Sequence, residues 1–236
     1  MTLTRRSLLL TFPCLLSACI TKQSIDVTPT TKNYRKPVSA PIPEYYQALY
    51  GSVYDEQFPI AAVDLQTISP RFWRRTIAFP LRYRAGTIII DLAHYFCYFV
   101  LPNGHAIRYG VGIAKTTRND FKGSATIGRK AVWPSWTPTD NMIKTQPKRY
   151  GDLKEGMPPG SQNPLGARAL YLYREGRDTL FRLHGSPEAW SIGHRVSSGC
   201  IRFLNQDIID LYHRVSVGDT VIIVHDGLSL KEEQSP

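Results

Sequence analysis

The stretch GTIIIDLAHYFCYFVLPNGHAIRYGVGIA, residues 86–114, constrains the fold more than any other. β-Branched and aromatic side chains fill it, and these fit a pleated, half-buried surface better than a helix. Pro102-Asn103-Gly104 interrupts it with the residues a tight reversal needs, which predicts a hairpin or part of a β-meander. Short apolar runs follow at 169–173, 179–183 and 220–224, separated by glycine and proline. Only NQDIIDLYHRV has a helical pattern. There Asn205 stands where an N-cap belongs, Ile208, Leu211, Tyr212 and Val215 share one face, and Gly218 follows the end. The expectation is a mainly β domain with one or two short helices. At 236 residues, 42% of them apolar, the chain can bury a real core as one domain with a tail or as two small domains.

The start of the chain reads as an export signal. Arg5 and Arg6 precede an apolar run from Leu8 to Leu16, broken by Thr11 and Pro13, and then come Ser17, Ala18 and Cys19. The run is shorter than the roughly 20 apolar residues a membrane-spanning helix needs. LSAC resembles a bacterial lipobox, which makes Cys19 a candidate lipidation site. The rival reading is cleavage near the same point with Cys19 unmodified. Paired arginines before Ser7, Leu8 and Leu9 resemble the twin-arginine route but are ordinary in any basic start, so both export routes stay open. Residues 20–43, rich in Thr, Pro, Ser and Lys, read as a flexible linker behind that anchor. Residues 44–85 carry aromatic and basic residues and are expected to pack on the flank of a domain spanning 86–225, with a tail at 226–236.

The formal charge is +10, from 29 Lys and Arg against 19 Asp and Glu spread along the chain, which suits an acidic polymer. No zinc-finger spacing, aromatic RNA-binding signature or basic helix is present. With an export signal, the expected partner is an anionic envelope polymer and a membrane reached through a lipid anchor, with no nucleic acid.

Candidate chemistry gathers in HGSPEAWSIGHRVSSGCIRF, residues 184–203, which holds two of six histidines and one of four cysteines. An acylating thiol needs a base, donors for an oxyanion and open access. Cys200 follows Ser197, Ser198 and Gly199, whose size admits a substrate and whose N–H groups could converge on one oxygen. His184 ends the apolar strand TLFRL and is a candidate base; a histidine there can meet a cysteine on a neighbouring strand. Arg202 falls on the same side of an extended chain as Cys200 and could fork onto a carboxylate. His194, in a polar run, ranks behind His184 as a base. Cys97, in YFCYFV, reads as a core thiol. A disulfide between Cys97 and Cys200 is the structural rival, since an exported protein meets oxidising surroundings. The Cys and His spacing offers no clustered metal ligands.

This segment resembles the active-site signature of the L,D-transpeptidase (YkuD-type) catalytic domain family: His-Gly, a spacer, then Ser or Thr, one residue, Gly-Cys and a nearby Arg or Asn. IRYGVGIA, ATIGRKAVWPSWTPT, NPLGARALYLY and IRFLNQDIIDLY follow the family's other segments in order, and DEQFPIAAVDLQTISPRFWRR is similar to a flanking segment of some members. The resemblance implies a β-sandwich catalytic domain, no cofactor, a periplasmic location and acyl transfer on peptidoglycan stem peptides. It assigns Cys200 as nucleophile, His184 as general base and later acid, and the Gly185 carbonyl as the group orienting the imidazole. Ser198, Gly199 and Cys200 would bound the oxyanion hole, and Arg202 would bind a stem-peptide carboxylate. Many members have His directly before Gly-Cys; this chain has Ser198, which bears on substrate hydrogen bonding more than on catalysis. The acyl acceptor stays open between another stem's amine, a lysine of an envelope lipoprotein, and water, the last making a carboxypeptidase or endopeptidase. The other class is a wall-binding lipoprotein whose cysteine is structural. Trp133, Trp136 and Tyr150 are expected to pack or to shape a groove.

Overall fold

The computed structural model describes residues 41–54, 56–80, 83–115, 123–197 and 199–229. The expected export signal, Cys19 and nearly all of the linker lie outside these residues, as does Ser198. In chain order the strands are β1 (Arg75–Ala78), β2 (Ile88–Asp91), β3 (Phe96–Val100), β4 (His105–Gly110), β5 (Ile113–Ala114), β6 (Gly123–Val132), β7 (Arg168–Arg174), β8 (Arg177–Ser186), β9 (Arg195–Ser197), β10 (Ile201–Leu204) and β11 (Thr220–Val224). The helices are α1 (Glu44–Leu49), α2 (Asp140–Thr145), α3 (Pro147–Tyr150) and α4 (Asn205–Arg214).

The expected hairpin is β3–β4. Asn103 and Gly104 both take positive φ, 65° and 73°, the pairing that matches the right-handed twist of the flanking strands. Nine strands form one sheet in the order β1-β4-β3-β2-β11-β6-β7-β8-β10, and β5 pairs with β9 beside it. Most neighbours are antiparallel, while β11 runs parallel to β2 and β10 parallel to β8. The sheet folds back on itself. Gly112, just beyond β4, exchanges backbone hydrogen bonds with Arg202 of β10 at 2.9 and 2.8 Å, and the rings of Tyr109 and Phe203 lie 6.0 Å apart. The two halves thus face each other across one core, where Ile88, Ile90, Cys97 and Tyr109 meet Ile127, Leu170, Leu183 and Phe203.

Helix α4 completes that core with Ile208 and Leu211, and Val215 just past its end joins them, all nearly inaccessible, while Tyr212 packs at its edge. Burying each aliphatic side chain stabilises by about 1.5–3 kcal/mol. Asn205 does not cap it. The helix begins at Asn205 itself, and the side-chain Oδ1 accepts the N–H of Ala167 at 3.0 Å. A tertiary demand has taken the capping oxygen. Lys130 serves the other end, donating to the carbonyls of Tyr212 and Val215 at 2.8 and 2.5 Å.

Residues 44–78 wrap against this sheet. Tyr50, Leu65, Ile68 and Trp73 form a second apolar cluster with Ile192 and Leu204, and β1 adds an edge strand to β4. Gln206 donates to the carbonyls of Gly51 and Ala61, both at 3.1 Å. Glu56 closes a two-point ion pair on Arg168 at 2.6 and 2.8 Å and also accepts the Trp133 indole N–H at 3.1 Å.

Candidate active site

The side-chain alternation of β8 and β10 sorts the chemistry from the core. Leu183, Ile201 and Phe203 point inward. Arg182, His184 and Arg202 therefore occupy the opposite face. Register makes the pairing specific: Arg202 lies opposite His184, and Ile201 opposite Leu183, across the parallel β8–β10 ladder. Cys200 stands just before β10, one step ahead of the Ile201–Leu183 pair and so level with Arg182 of β8. His184, Gly185 and Arg202 thus stand on two adjacent strands, with Cys200 directly ahead of the second.

Gly185 is where a side chain cannot go. A Cβ there would lie 2.2 Å from Asn205 Oδ1 and 3.2 Å from the Ala167 nitrogen. Its carbonyl is turned to the imidazole, with His184 Nδ1 2.6 Å from the Gly185 oxygen. A carbonyl only accepts, so Nδ1 carries the proton and Nε2 is left with a free lone pair. His184 is almost fully buried. That desolvation drives its pKa down to about 4, the nearby Arg202 and Arg182 charges push the same way, and the Gly185 bond opposes them. The imidazole is neutral at neutral pH.

Burial likewise pushes the half-buried Cys200 thiol up, while the Arg182 charge and backbone, and then Arg202, pull it down. The resting pair is therefore thiol and neutral imidazole. Gly199, at φ 156°, has no atom within 4 Å of where a Cβ would sit, so Cys200 is approached past open space. The Gly199 N–H donates to Ser197 Oγ at a long 3.3 Å, and Ser197 Oγ in turn donates to the Cys200 carbonyl at 2.5 Å.

Arg202 is ion-paired with Glu188 of the same segment, and its side chain is largely covered. Sequence reasoning missed this partner and missed Arg182, although Arg182 lies two places before His184 and so shares its face. Arg182 is itself held by Asp178 at 2.7 and 2.9 Å. The turn at 189–193 walls the segment. Ile192 is buried in the cluster of residues 44–73, and a Cβ on Gly193 would lie 2.3 Å from the Phe72 ring.

Cys97 and Cys200 are both free thiols, Cys97 within the core and Cys200 on the outer face. His194 lies on the wall, its carbonyl accepting the Ile113 N–H at 3.0 Å. Trp133 is buried on Phe58 at 5.1 Å, and Trp136 lies 5.9 Å from Tyr150.

A family model described as the L,D-transpeptidase catalytic domain (YkuD) matches residues 85–223, and the chain belongs to that family. Among curated relatives, the Probable L,D-transpeptidase ErfK/SrfK of Escherichia coli K12 is 34% identical over 139 residues, covering 58% of this chain and 43% of that protein. The Putative L,D-transpeptidase YqjB of Bacillus subtilis is 37% identical over 125 residues, covering 52% and 62%. The chain spans about half the length of the curated relatives it matches. A solved structure from Brucella melitensis, titled a Probable carnitine operon oxidoreductase caia, is 42% identical, covers 68% of this chain and 99% of that one, and has a TM-score of 0.46.

Proposed function

We propose that the chain is an exported peptidoglycan L,D-transpeptidase working through a Cys200 thioester. Family membership, a neutral His184 whose Nδ1 is locked on the Gly185 carbonyl, and the place of Cys200 at the start of the strand beside His184 support this reading. In the first half-reaction His184 Nε2 takes the thiol proton as Cys200 Sγ attacks the amide carbonyl joining the L-centre of the third stem residue, a diaminopimelate, to the terminal D-alanine. Backbone N–H groups of Ser198, Gly199 and Cys200 receive the oxyanion, which requires the long Gly199 bond to Ser197 to yield. The intermediate collapses, the C–N bond breaks, and Nε2 returns the proton to the departing D-alanine amine. An acceptor amine then loses its proton to Nε2 as it attacks the thioester, forming an amide and restoring the thiol. Arg202, exchanging Glu188 for a substrate carboxylate, holds the stem.

The acceptor is another stem's side-chain amine, giving a 3-to-3 cross-link, or a lysine of an envelope lipoprotein. Export, lipidation at Cys19 and a periplasmic position at the end of a tether complete the proposal. The test is intact mass of the purified protein after incubation with tetrapeptide muropeptides and, separately, with a carbapenem. A Cys200 adduct, released D-alanine and dimeric muropeptides are expected, all absent in Cys200→Ala while its melting transition is kept. D-Alanine without dimers would point to hydrolysis, and no adduct would leave Cys200 a structural thiol.

A further inference from the structure

The outer face carries a second row of side chains, one step along the strands from His184. Across the antiparallel ladders, Arg129 of β6 lies opposite Tyr171 of β7, and Tyr171 opposite Arg182 of β8. Both guanidinium groups rest on the Tyr171 ring, Arg129 at 3.4 Å and Arg182 at 4.3 Å from its centre. The ring is buried beneath them, so it fixes the two cations instead of binding ligand itself. At its inner end the row comes level with Cys200, because Arg182 precedes Leu183 and Cys200 precedes Ile201, the pair that opens the β8–β10 ladder.

The three arginines of this face differ in what already holds them. Arg202 is paired with Glu188, and Arg182 is forked onto Asp178. Arg129 is exposed and has no carboxylate within ion-pair distance among the described residues. A stacked, oriented guanidinium with no ion-pair partner among the described residues, on the same face as Cys200, is a site for a planar anion. Its distance is informative. Adjacent strands are spaced by about 4.8 Å, and a head group lying back over Tyr171 comes about two spacings from the Cys200 strand. An extended peptide covers that span in two or three residues.

We propose that Arg129, held on Tyr171, binds the carboxylate of an acidic stem residue preceding the scissile amide, and so selects acid over amidated stem peptides. This rests on the stem-peptide reading above and adds a residue that reads the donor away from the bond that breaks. An ion-paired hydrogen bond of this kind carries tenfold or more in affinity.

The experiment measures D-alanine release, as kcat and KM, from a tetrapeptide with that preceding acid free and from the same peptide with only that acid amidated. Wild-type protein is expected to prefer the acid peptide by about tenfold in KM. Arg129→Gln should lose the preference, with kcat within twofold and the amidated peptide unaffected, and Arg129→Lys should keep part of it. A preference retained in Arg129→Gln, equal damage to both peptides, or a wild type indifferent to amidation would each overturn the subsite. Wild-type protein that releases D-alanine from neither peptide and gains no mass on Cys200 would instead reject the transpeptidase reading, and the subsite with it.

Discussion

Glu56→Ala should destabilise the protein by about 3 kcal/mol while sparing the site. Arg168 is nearly inaccessible, and its Nη1 and Nη2 are matched at 2.8 and 2.6 Å by the two Glu56 oxygens, the first of which also takes the Trp133 indole. Truncating Glu56 leaves Arg168 the Ala167 carbonyl at 2.9 Å and the face of Tyr212, neither of which carries charge. Removing one partner of a buried pair costs about 3–5 kcal/mol. Glu56 keeps 15% side-chain exposure, so water reaches the vacated space and the lower figure applies. For a domain of this size that loss lowers Tm by about 6–12 °C. Urea unfolding of Glu56→Ala, Arg168→Met and the double variant would measure it, and the double variant should recover much of the loss because apolar replacement of both ions is often near neutral. A Glu56→Ala midpoint within 0.5 kcal/mol of wild type at unchanged m would refute the clamp.

Because burial holds the His184 pKa near 4, the acid limb of kcat/KM should fall near pH 4 and not near 6.5, and alkylation of Cys200 should keep accelerating through pH 9 without a low-pH thiolate plateau; a limb at 6.5 would contradict the buried imidazole. Two buried groups bend stability in opposite directions. His184, lowered from 6.5 to about 4, binds fewer protons when folded, so its contribution rises with pH across that window by about 3 kcal/mol. Asp207, raised from 3.8 to about 7 chiefly by burial, binds more protons when folded, so its contribution falls as pH rises through its window. Asp207→Asn should expose the His184 slope, with Tm climbing more steeply from pH 4 to 6.5 than in wild type, and parallel curves would show that Asp207 does not titrate there. Gly193→Ala should cut turnover and stability, since its Cβ would lie 2.3 Å from Phe72 at a φ of 80°, and adding Phe72→Ala should return part of the loss; no recovery would place the fault in backbone strain alone.

The β3–β4 hairpin was legible because a run of β-branched and aromatic residues and an Asn-Gly turn are local signals, and α4 because its apolar spacing is. His184 and Cys200 were legible as candidates through composition, because they stand out where histidine and cysteine are scarce. What stayed hidden depends on partners far away in sequence. Asn205 has the chemistry of a cap, yet its oxygen goes to Ala167, and Arg202 looked free because its partner Glu188 lies on the turn that folds over it. Residues 44–78 have no long period of their own because short turns and one edge strand drape them over a sheet made elsewhere. Arg182 was within reach, since period two from His184 puts it on the same face.

That draped segment has a consequence for the site. Phe72 occupies the space that side chains at Gly110 and Gly193 would fill, and Ile192, between those glycines in space, is buried with Tyr50, Leu65 and Trp73. The same segment grips the first turn of α4 through Gln206 and through Arg74, whose Nε lies 3.6 Å from Asp207. Helix α4 follows directly on β10, the strand that begins after Cys200. One stretch of chain therefore braces the wall at 189–193 and the base of the Cys200 strand together. Loosening it would alter where Glu188 and Arg202 stand without touching either, so residues 44–78 are part of what orders the site.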